Sequence, residues 1–341
     1  MTEALRWGIL STGNIARQFA EGLQGAQCSC AHAVASRHLS SAQQFAQTVH
    51  IRNAYGSYQE LLDDREVEAV YLALPNAMHH EWTIKALNHG KHVLCEKPLA
   101  RNVIESHEMF DLADRRGLLL VEAFMYRSHP LTQSVRAQID RGAIGQLRMI
   151  RTSFCYCTKN IKNNIRFSTA LAGGALMDVG CYCVNFSRYF AGAEPSGVHA
   201  VAHLHETGVD DIVAGTLAFD GALVASFTCG MSVHVDNTAY LCGSEGYIEV
   251  PMPWKPPVEA ARFVLKQAIA PRQDGPGPRT MPSPQTFDVD AGKPLYALEA
   301  DDFAATVRQG AAPRLTRQDT IGNMKVLDEM RRQIGLSVNH G

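Results

Sequence analysis

Within Gly173–Tyr182, GGALMDVGCY, the carboxyl of Asp178 and the phenol of Tyr182 are four residues apart. On a helix that spacing places both on one face, one turn from each other. Such a pair is either a surface contact or part of a site. The glycines just before it let a ligand or another segment come near the helix start, which favours a site. A second conspicuous group is Lys97, in Cys95-Glu96-Lys97-Pro98. It follows a short apolar run with the look of a buried strand, whereas lysines ordinarily lie on exposed helix faces. An ion pair with Glu96 or a contact with a bound cofactor are its plainer roles, and neither excludes chemistry. His79, at the end of Leu74-Pro75-Asn76-Ala77-Met78-His79, stands at a helix start and reads equally as a cap, a surface histidine or a site residue.

The binding element that would bring a cofactor to these groups is Gly8–Ala16, GILSTGNIA, where a first strand turns into a first helix. A strand-to-helix turn of this kind binds a dinucleotide pyrophosphate through bare backbone N–H groups and the positive end of the helix dipole. Ser11, Thr12, Gly13, Asn14 and Ile15 form the expected cradle; Gly13 allows close approach and Ala16 close helix packing. Ser11 stands where the usual pattern has its first glycine. After the second strand, where an NAD-binding site would carry an acidic residue for the ribose 2′-hydroxyl, the chain has Ser36 and Arg37. A hydroxyl and a guanidinium suit a 2′-phosphate, so the expected cofactor is NADP. Leu74, Pro75 and Asn76, ending the next strand, and Glu96 and Lys97 beyond it fall along the same carboxyl edge.

Up to Ala123 the pattern alternates short apolar strands with helices, and Gly90 and Gly117 stand just past two helix ends as C-terminal caps. This predicts an α/β fold with a doubly wound parallel sheet of Rossmann type. Later segments read as successive strands joined by turns, with a helix from Gly174 to about Phe190 and two helices at the end. They predict a C-terminal α+β domain with a large open, mostly antiparallel sheet. The expected domains are 1–123 for NADP binding, 124–315 for substrate and dimerisation, and 316–341 as a helix packing back near the first. Proline-rich connections at Pro251–Pro257 and Pro271–Pro284 read as surface loops.

With 341 residues, 46% hydrophobic and 19% charged, the chain is long enough for two cores. Its formal net charge of −2 gives no basic footprint of the kind nucleic acid demands. No apolar run of membrane-spanning length occurs, and the first residues lack the features of a secretory leader, so a cytoplasmic protein is expected. The nine cysteines include Cys28/Cys30, Cys155/Cys157 and Cys181/Cys183, but no second pair at zinc-finger spacing. Reduced thiols and no metal are expected.

GILSTGNIA, LPNAMHH, CEKPLA, EAFMYRSHP, GGALMDVGCY and YALEADDF together resemble the glucose-fructose oxidoreductase/inositol 2-dehydrogenase (Gfo/Idh/MocA) family over Trp7 to about Gly335. The nearest likeness is to members acting on trans-dihydrodiols or D-xylose, and HETGVDD (His205–Asp211) and SFTC (Ser226–Cys229) are similar to the former. The resemblance implies that Lys97 is catalytic and touches cofactor and substrate, and that Lys97–Pro98 is a cis peptide. It implies that Tyr182, a histidine in inositol-type members, is catalytic, with Asp178 as the nearby acid. It places Phe154 and Trp254 as aromatic pocket walls and Arg166 among the substrate-binding residues, with His79 beside the cofactor. Met125 stands where the dihydrodiol group has tryptophan, and FMYR is nearer the sugar-oxidising members. The implied function is hydride transfer between NADP and a hydroxyl or carbonyl carbon of a cyclic polyol, an aldose or a trans-dihydrodiol. Tyr182 is read as acid/base and Lys97 as its electrostatic activator. The alternatives are a keto-deoxysugar or anhydro-sugar reductase, and a non-catalytic NADP-binding regulator on the same fold. A homodimer through the C-terminal sheet is expected.

Overall fold

Strands covered on both faces must be apolar throughout, and the first sheet is built from such runs. The structure, a computed structural model, describes residues 3–267 and 282–338. The proline-rich stretch Pro271–Pro284 lies almost wholly outside the described residues. The chain divides into two compact units, Met1–Ser128 with Ser168–Gly173 and Lys293–Asp328, and His129–Phe167 with Gly174–Gly292 and Glu329–Gly341.

In the first unit β1 (Leu5–Leu10), α1 (Asn14–Leu23), β2 (Ser29–Ala35), α2 (Leu39–Val49), β3 (Asn53–Tyr55), α3 (Tyr58–Asp63), β4 (Ala69–Leu72), α4 (His79–Asn88), β5 (His92–Glu96), α5 (Val103–Arg116) and β6 (Leu120–Ala123) follow in order. The six strands are parallel, in the order β3-β2-β1-β4-β5-β6. All four residues of β4 are buried. Helix α1 buries Ala16, Phe19, Ala20 and Leu23, the i, i+3, i+4, i+7 stripe of a helix lying on a sheet. Phe19 stacks on Tyr71 of β4 with ring centroids 3.8 Å apart. Helix α5 starts where the Asn102 side chain accepts the Glu105 N–H and stops at Gly117, φ +65°. The strand order reverses between β1 and β4, and the crevice at their carboxyl ends is where an open α/β sheet takes ligands.

The second unit contains α6 (Pro130–Asp140), β7 (Leu147–Cys155), a π turn over Leu176–Gly180 running into α7 (Cys181–Ala191), and then β8 (Gly197–Leu204), β9 (Asp210–Phe219), β10 (Leu223–Gly230), β11 (Ala239–Gly243), β12 (Gly246–Val250), β13 (Ala261–Gln267) and β14 (Gln285–Val289). The eight strands run β14-β13-β12-β11-β7-β10-β9-β8, and of the neighbouring pairs only β7 with β10 is parallel. Burial alternates along β9 and β10, the mark of a sheet with one covered face. Two strands escape sequence reading: β3 has only three residues, and β14 follows the proline-rich stretch.

Helices α8 (Leu295–Gln309) and α9 (Arg317–Gln333) close the chain. Helix α8, assigned with the second domain on sequence, packs on the first unit instead. Its Asp301 carboxylate accepts the N–H groups of Gln27 and Cys28, its Arg308 pairs with Glu68 at 2.7 Å, and its Phe303 ring lies 4.9 Å from that of Trp7. From α9, Asp328 accepts the Val103 N–H at 2.9 Å and Arg317 pairs with Asp111 and Asp114.

Ser11 answers how the turn after β1 works without its first glycine. It takes φ +131°, a conformation that favours glycine, and its hydroxyl accepts the Gly13 N–H at 3.0 Å. Backbone held in such a region costs about 1–3 kcal/mol. Ser11→Ala keeps that conflict and removes the acceptor, so unfolding free energy from urea titration should fall by about 1 kcal/mol. Ser11→Gly loses the same acceptor but relieves the backbone, and should be at least as stable as wild type. A glycine variant less stable than the alanine variant overturns this account.

Candidate active site

In the first unit the expected cofactor residues gather at the carboxyl ends of the strands. Gly13, exposed, precedes α1, whose start has no side-chain cap and no acidic residue in its first turn. Those backbone donors and the helix dipole suit an anion. Thr12, Asn14 and Ile15 continue the same turn. At the end of β2, Ser36 is buried and Arg37 is exposed, and Ser36-Arg37-His38-Leu39-Ser40-Ser41 contains no carboxylate. The Arg37 guanidinium lies near enough to Tyr58 to oppose the upward push of burial on that phenol. This set fits a dinucleotide bearing a 2′-phosphate, and its chemistry is that of NADP rather than NAD.

After β4, Leu74 is buried, Pro75 is half-buried, and the Asn76 side-chain amide donates to the Ala172 carbonyl at 2.9 Å. His79 does not reach this surface. It is wholly buried, with its ring nitrogens 2.9 Å from the carbonyl oxygens of Pro98 and Leu74, and burial holds its pKa below the usual histidine range. It is therefore a strut joining the end of β4 to the turn after β5. That turn contains the cis Lys97–Pro98 bond. Glu96 also faces inward: it is buried and accepts a hydrogen bond from the Tyr71 hydroxyl. Lys97, half-buried, is left at the strand end beside it.

In the second unit Tyr182 sits in the first turn of α7 and is 4% exposed. Its ring meets Phe154 of β7 edge-on at 5.2 Å and Trp254 at 5.9 Å between centroids. Phe154 and Trp254 stack at 5.4 Å and 7°, and the Trp254 indole N–H is fixed by the Ser153 carbonyl at 2.8 Å. Phe154 and Trp254 therefore pack as a stacked pair with the Tyr182 ring edge-on to both.

Asp178, one turn earlier, has a different setting. Its Oδ2 accepts the Tyr156 hydroxyl at 2.5 Å and the Arg166 Nε–H at 3.0 Å. Burial first, and then Asp178, push the Tyr156 phenol well above its ordinary range, so Tyr156 stays a donor. Arg166 is thus engaged with Asp178 on the exposed side of the segment. Sequence reasoning missed Tyr156, whose only signal is its place one residue past Cys155 at the end of β7. It also assigned no role to Asp210, which lay inside the quoted HETGVDD segment.

Among the described residues no group of three or more His, Cys, Asp or Glu side chains is placed to hold a metal. Among the described residues no helix is long and apolar enough to cross a membrane.

Two stretches of the chain match known family models. Residues 5–124 match the oxidoreductase family with NAD-binding Rossmann fold, and residues 132–249 match the GFO/IDH/MocA C-terminal domain. The chain is similar to trans-1,2-dihydrobenzene-1,2-diol dehydrogenase of Homo sapiens, 37% identical over 98% of both chains. It is 40% identical to that of Mus musculus over 74% of this chain and 76% of the other. Among solved structures it is similar to KijD10, a 3-ketoreductase from Actinomadura kijaniata in complex with NADP and TDP-benzene. That likeness has a TM-score of 0.86 and 30% identity, covering 97% of this chain and 98% of the other. With relatives this similar along nearly the whole length, the chain belongs to the GFO/IDH/MocA family of oxidoreductases.

Proposed function

We propose that the chain is an NADP-dependent oxidoreductase acting on a hydroxyl or carbonyl carbon of a cyclic polyol, with Tyr182 as general acid/base and Lys97 as its electrostatic activator. The observation that carries this reading is the phenol of Tyr182 set against the stacked Phe154–Trp254 pair. A flat aromatic wall suits the apolar face of a ring, sugar or diol, while the phenol addresses a hydroxyl on its edge. The dehydrogenases similar to this chain are named for a trans-dihydrodiol and KijD10 for a 3-keto reduction, and both support a ring-shaped substrate.

The cofactor is NADP, held by Ser11–Ile15 at the pyrophosphate and by Ser36 and Arg37 at the 2′-phosphate. When bound, it supplies the hydride acceptor or donor at its nicotinamide ring. The protein takes up the proton that the hydroxyl loses. A free phenol titrates near 10 and is a poor base at neutral pH. An ammonium favours its ionised form, which is the part assigned to Lys97. Asp178, already accepting from Tyr156 and Arg166, orients Arg166 or a substrate hydroxyl and does not take the proton. Reduction of a keto sugar runs the same steps backwards, with Tyr182 donating. The likeness to the 3-ketoreductase favours that direction as the second reading.

The second-unit sheet supports a homodimer. Val201, Ile212, Val224 and Met149 lie on its uncovered face, as the register pairs Val201 with Ala214, Val224 with Ala218, and Val224 with Met149. Val201 is 70% exposed and Val224 45%. A polar row of His199, Thr216, Ser226 and Arg151 separates Val224 from Val201, and an exposed face of this mixed kind is suited to self-complementary contact about a two-fold axis.

Three outcomes are expected. Arg37→Ala should raise KM for NADP while hardly changing that for NAD, and a wild-type preference for NAD overturns the cofactor assignment. Tyr182→Phe should lower kcat about a hundredfold with NADP affinity nearly unchanged. Lys97→Met should do likewise, and the double variant should be little worse than either, because the two act as a unit; near-wild-type turnover by Tyr182→Phe, read from nicotinamide absorbance over sugars and diols, refutes the acid/base role. Light scattering at micromolar concentration should give twice the chain mass, and Val224→Arg should give the monomer; a monomeric wild type rules the dimer out.

A further inference from the structure

We propose that Asp210 is a positioning residue for the proposed reaction: from β9 its carboxyl holds the start of the Asp178–Tyr182 segment and so sets where the Tyr182 phenol lies. The inference rests on the Tyr182 reading above.

Asp210 is 1% exposed at the first position of β9, and its Oδ2 accepts the Leu176 backbone N–H at 2.6 Å. Leu176 opens the π turn that runs directly into α7 and carries Asp178 and then Tyr182. The first N–H groups of a helix have no partner within it, so a buried helix start needs an acceptor from elsewhere. Here the acceptor comes from another strand and fixes the turn against the sheet. Gly174 makes the approach possible: at φ +117°, a Cβ there would stand 2.1 Å from Asp210 Oδ1. The glycine pair before the Asp178–Tyr182 segment thus has a reason in the structure, the close seating of a carboxyl. Gly174 then serves twice, since its carbonyl accepts the Asp178 N–H at 2.9 Å.

Asp210 Oδ1 is buried with no hydrogen-bond partner among the described residues. The groups that face the carboxyl are Asp211 on its own strand, Arg331 of α9 and the Cys229 thiol of β10. Burial is the largest influence and lifts the Asp210 pKa from its ordinary 3.8 to about 7. A neutral carboxyl still offers an oxygen to the Leu176 N–H while avoiding a buried charge. Because the folded-state pKa is raised, the stability Asp210 contributes is fully present below the ordinary carboxyl range and is lost as pH rises through about 7.

The test compares Asp210→Ala and Asp210→Asn in wild-type and Tyr182→Phe backgrounds, using full-length protein, NADP and a substrate of the wild type. Misplacing a reacting group by a fraction of an ångström lowers rate more than binding, so Asp210→Ala should cut kcat about tenfold or more and leave KM for NADP within about twofold. Asp210→Asn keeps a carbonyl acceptor for Leu176 and should recover most of that loss. In the Tyr182→Phe background Asp210→Ala should cost less than about twofold further, because it acts through the phenol. Amide exchange across 176–182 should quicken in the alanine variant and not in the asparagine variant. The melting temperature of Asp210→Asn should vary less between pH 5 and pH 8 than that of wild type.

A folded Asp210→Ala with wild-type kcat, or an alanine penalty undiminished in the Tyr182→Phe background, overturns the proposal. If Asp210→Ala does not fold, Asp210→Asn decides: faster exchange across 176–182, or a tenfold loss of kcat despite the retained acceptor, refutes it. Near-wild-type turnover by Tyr182→Phe alone would instead sink the acid/base assignment, and the exchange measurement would still judge whether Asp210 holds the segment.

Discussion

A parallel sheet covered on both faces can place polar side chains only at its strand ends, and this constraint arranges the first unit. Along β1, β4 and β5 the residues are almost continuously buried. The groups that interrupt this pattern, Ser11 after β1, Ser36 and Arg37 after β2, and Lys97 after β5, all lie at carboxyl ends. The parallel direction puts those ends on one edge, and the reversal of strand order between β1 and β4 opens that edge to a ligand. The residues proposed to hold the cofactor are therefore a consequence of topology before they are a motif. Ser11 shows the order of causes: the turn keeps its glycine-like backbone although the glycine is gone.

The second unit solves a different problem. Its sheet has one covered face, and the polar groups of α7 must be accommodated inside that cover. Burial alternates along β9 and β10, while α7 is buried nearly all round. Tyr182 is tolerated there because rings surround its own ring, and Trp254 because the Ser153 carbonyl takes its N–H. Asp178 lies nearer solvent, with a phenol and a guanidinium as donors. Two groups one turn apart thus receive different environments, which is how a helix separates an orienting carboxylate from a phenol in the proposed acid/base role.

The sequence was legible where one local rule acted alone. Helix α5 is legible because its apolar period, Asn102 cap and Gly117 stop agree. Strand β3 was not, since three half-buried residues carry no period. Helix α8 was found but assigned to the wrong partner: an amphipathic pattern says that a helix packs, not against what, and the Asp301 contacts with Gln27 and Cys28 are invisible without coordinates. The setting of His79 is hidden for a similar reason. A histidine at a helix start beside a binding edge looks functional, and only its two carbonyl neighbours identify it as a strut. Tyr156 joins Asp178 through tertiary contact alone, at a separation no local pattern covers.

The placement of α8 bears on the charge beside Lys97. Its Glu299 and Tyr296 are buried and are both pushed well above their ordinary ranges, by burial first and then by neighbouring charge that includes Glu96. Glu299 Oε2 and the Tyr296 hydroxyl have no hydrogen-bond partner among the described residues. Burial first, and then the neighbouring Glu96 carboxyl, disfavour the charged form of Glu299, so Glu299 stays a neutral acid. The stabilising contribution of neutral Glu299 is complete below the ordinary glutamate range and lost only as pH rises through its elevated pKa. Glu96 accepts from the Tyr71 hydroxyl and is anchored inward by it. Lys97 is the next residue, so α8, encoded far downstream in the YALEADDF segment, lies close to the strand end that carries the EKP turn.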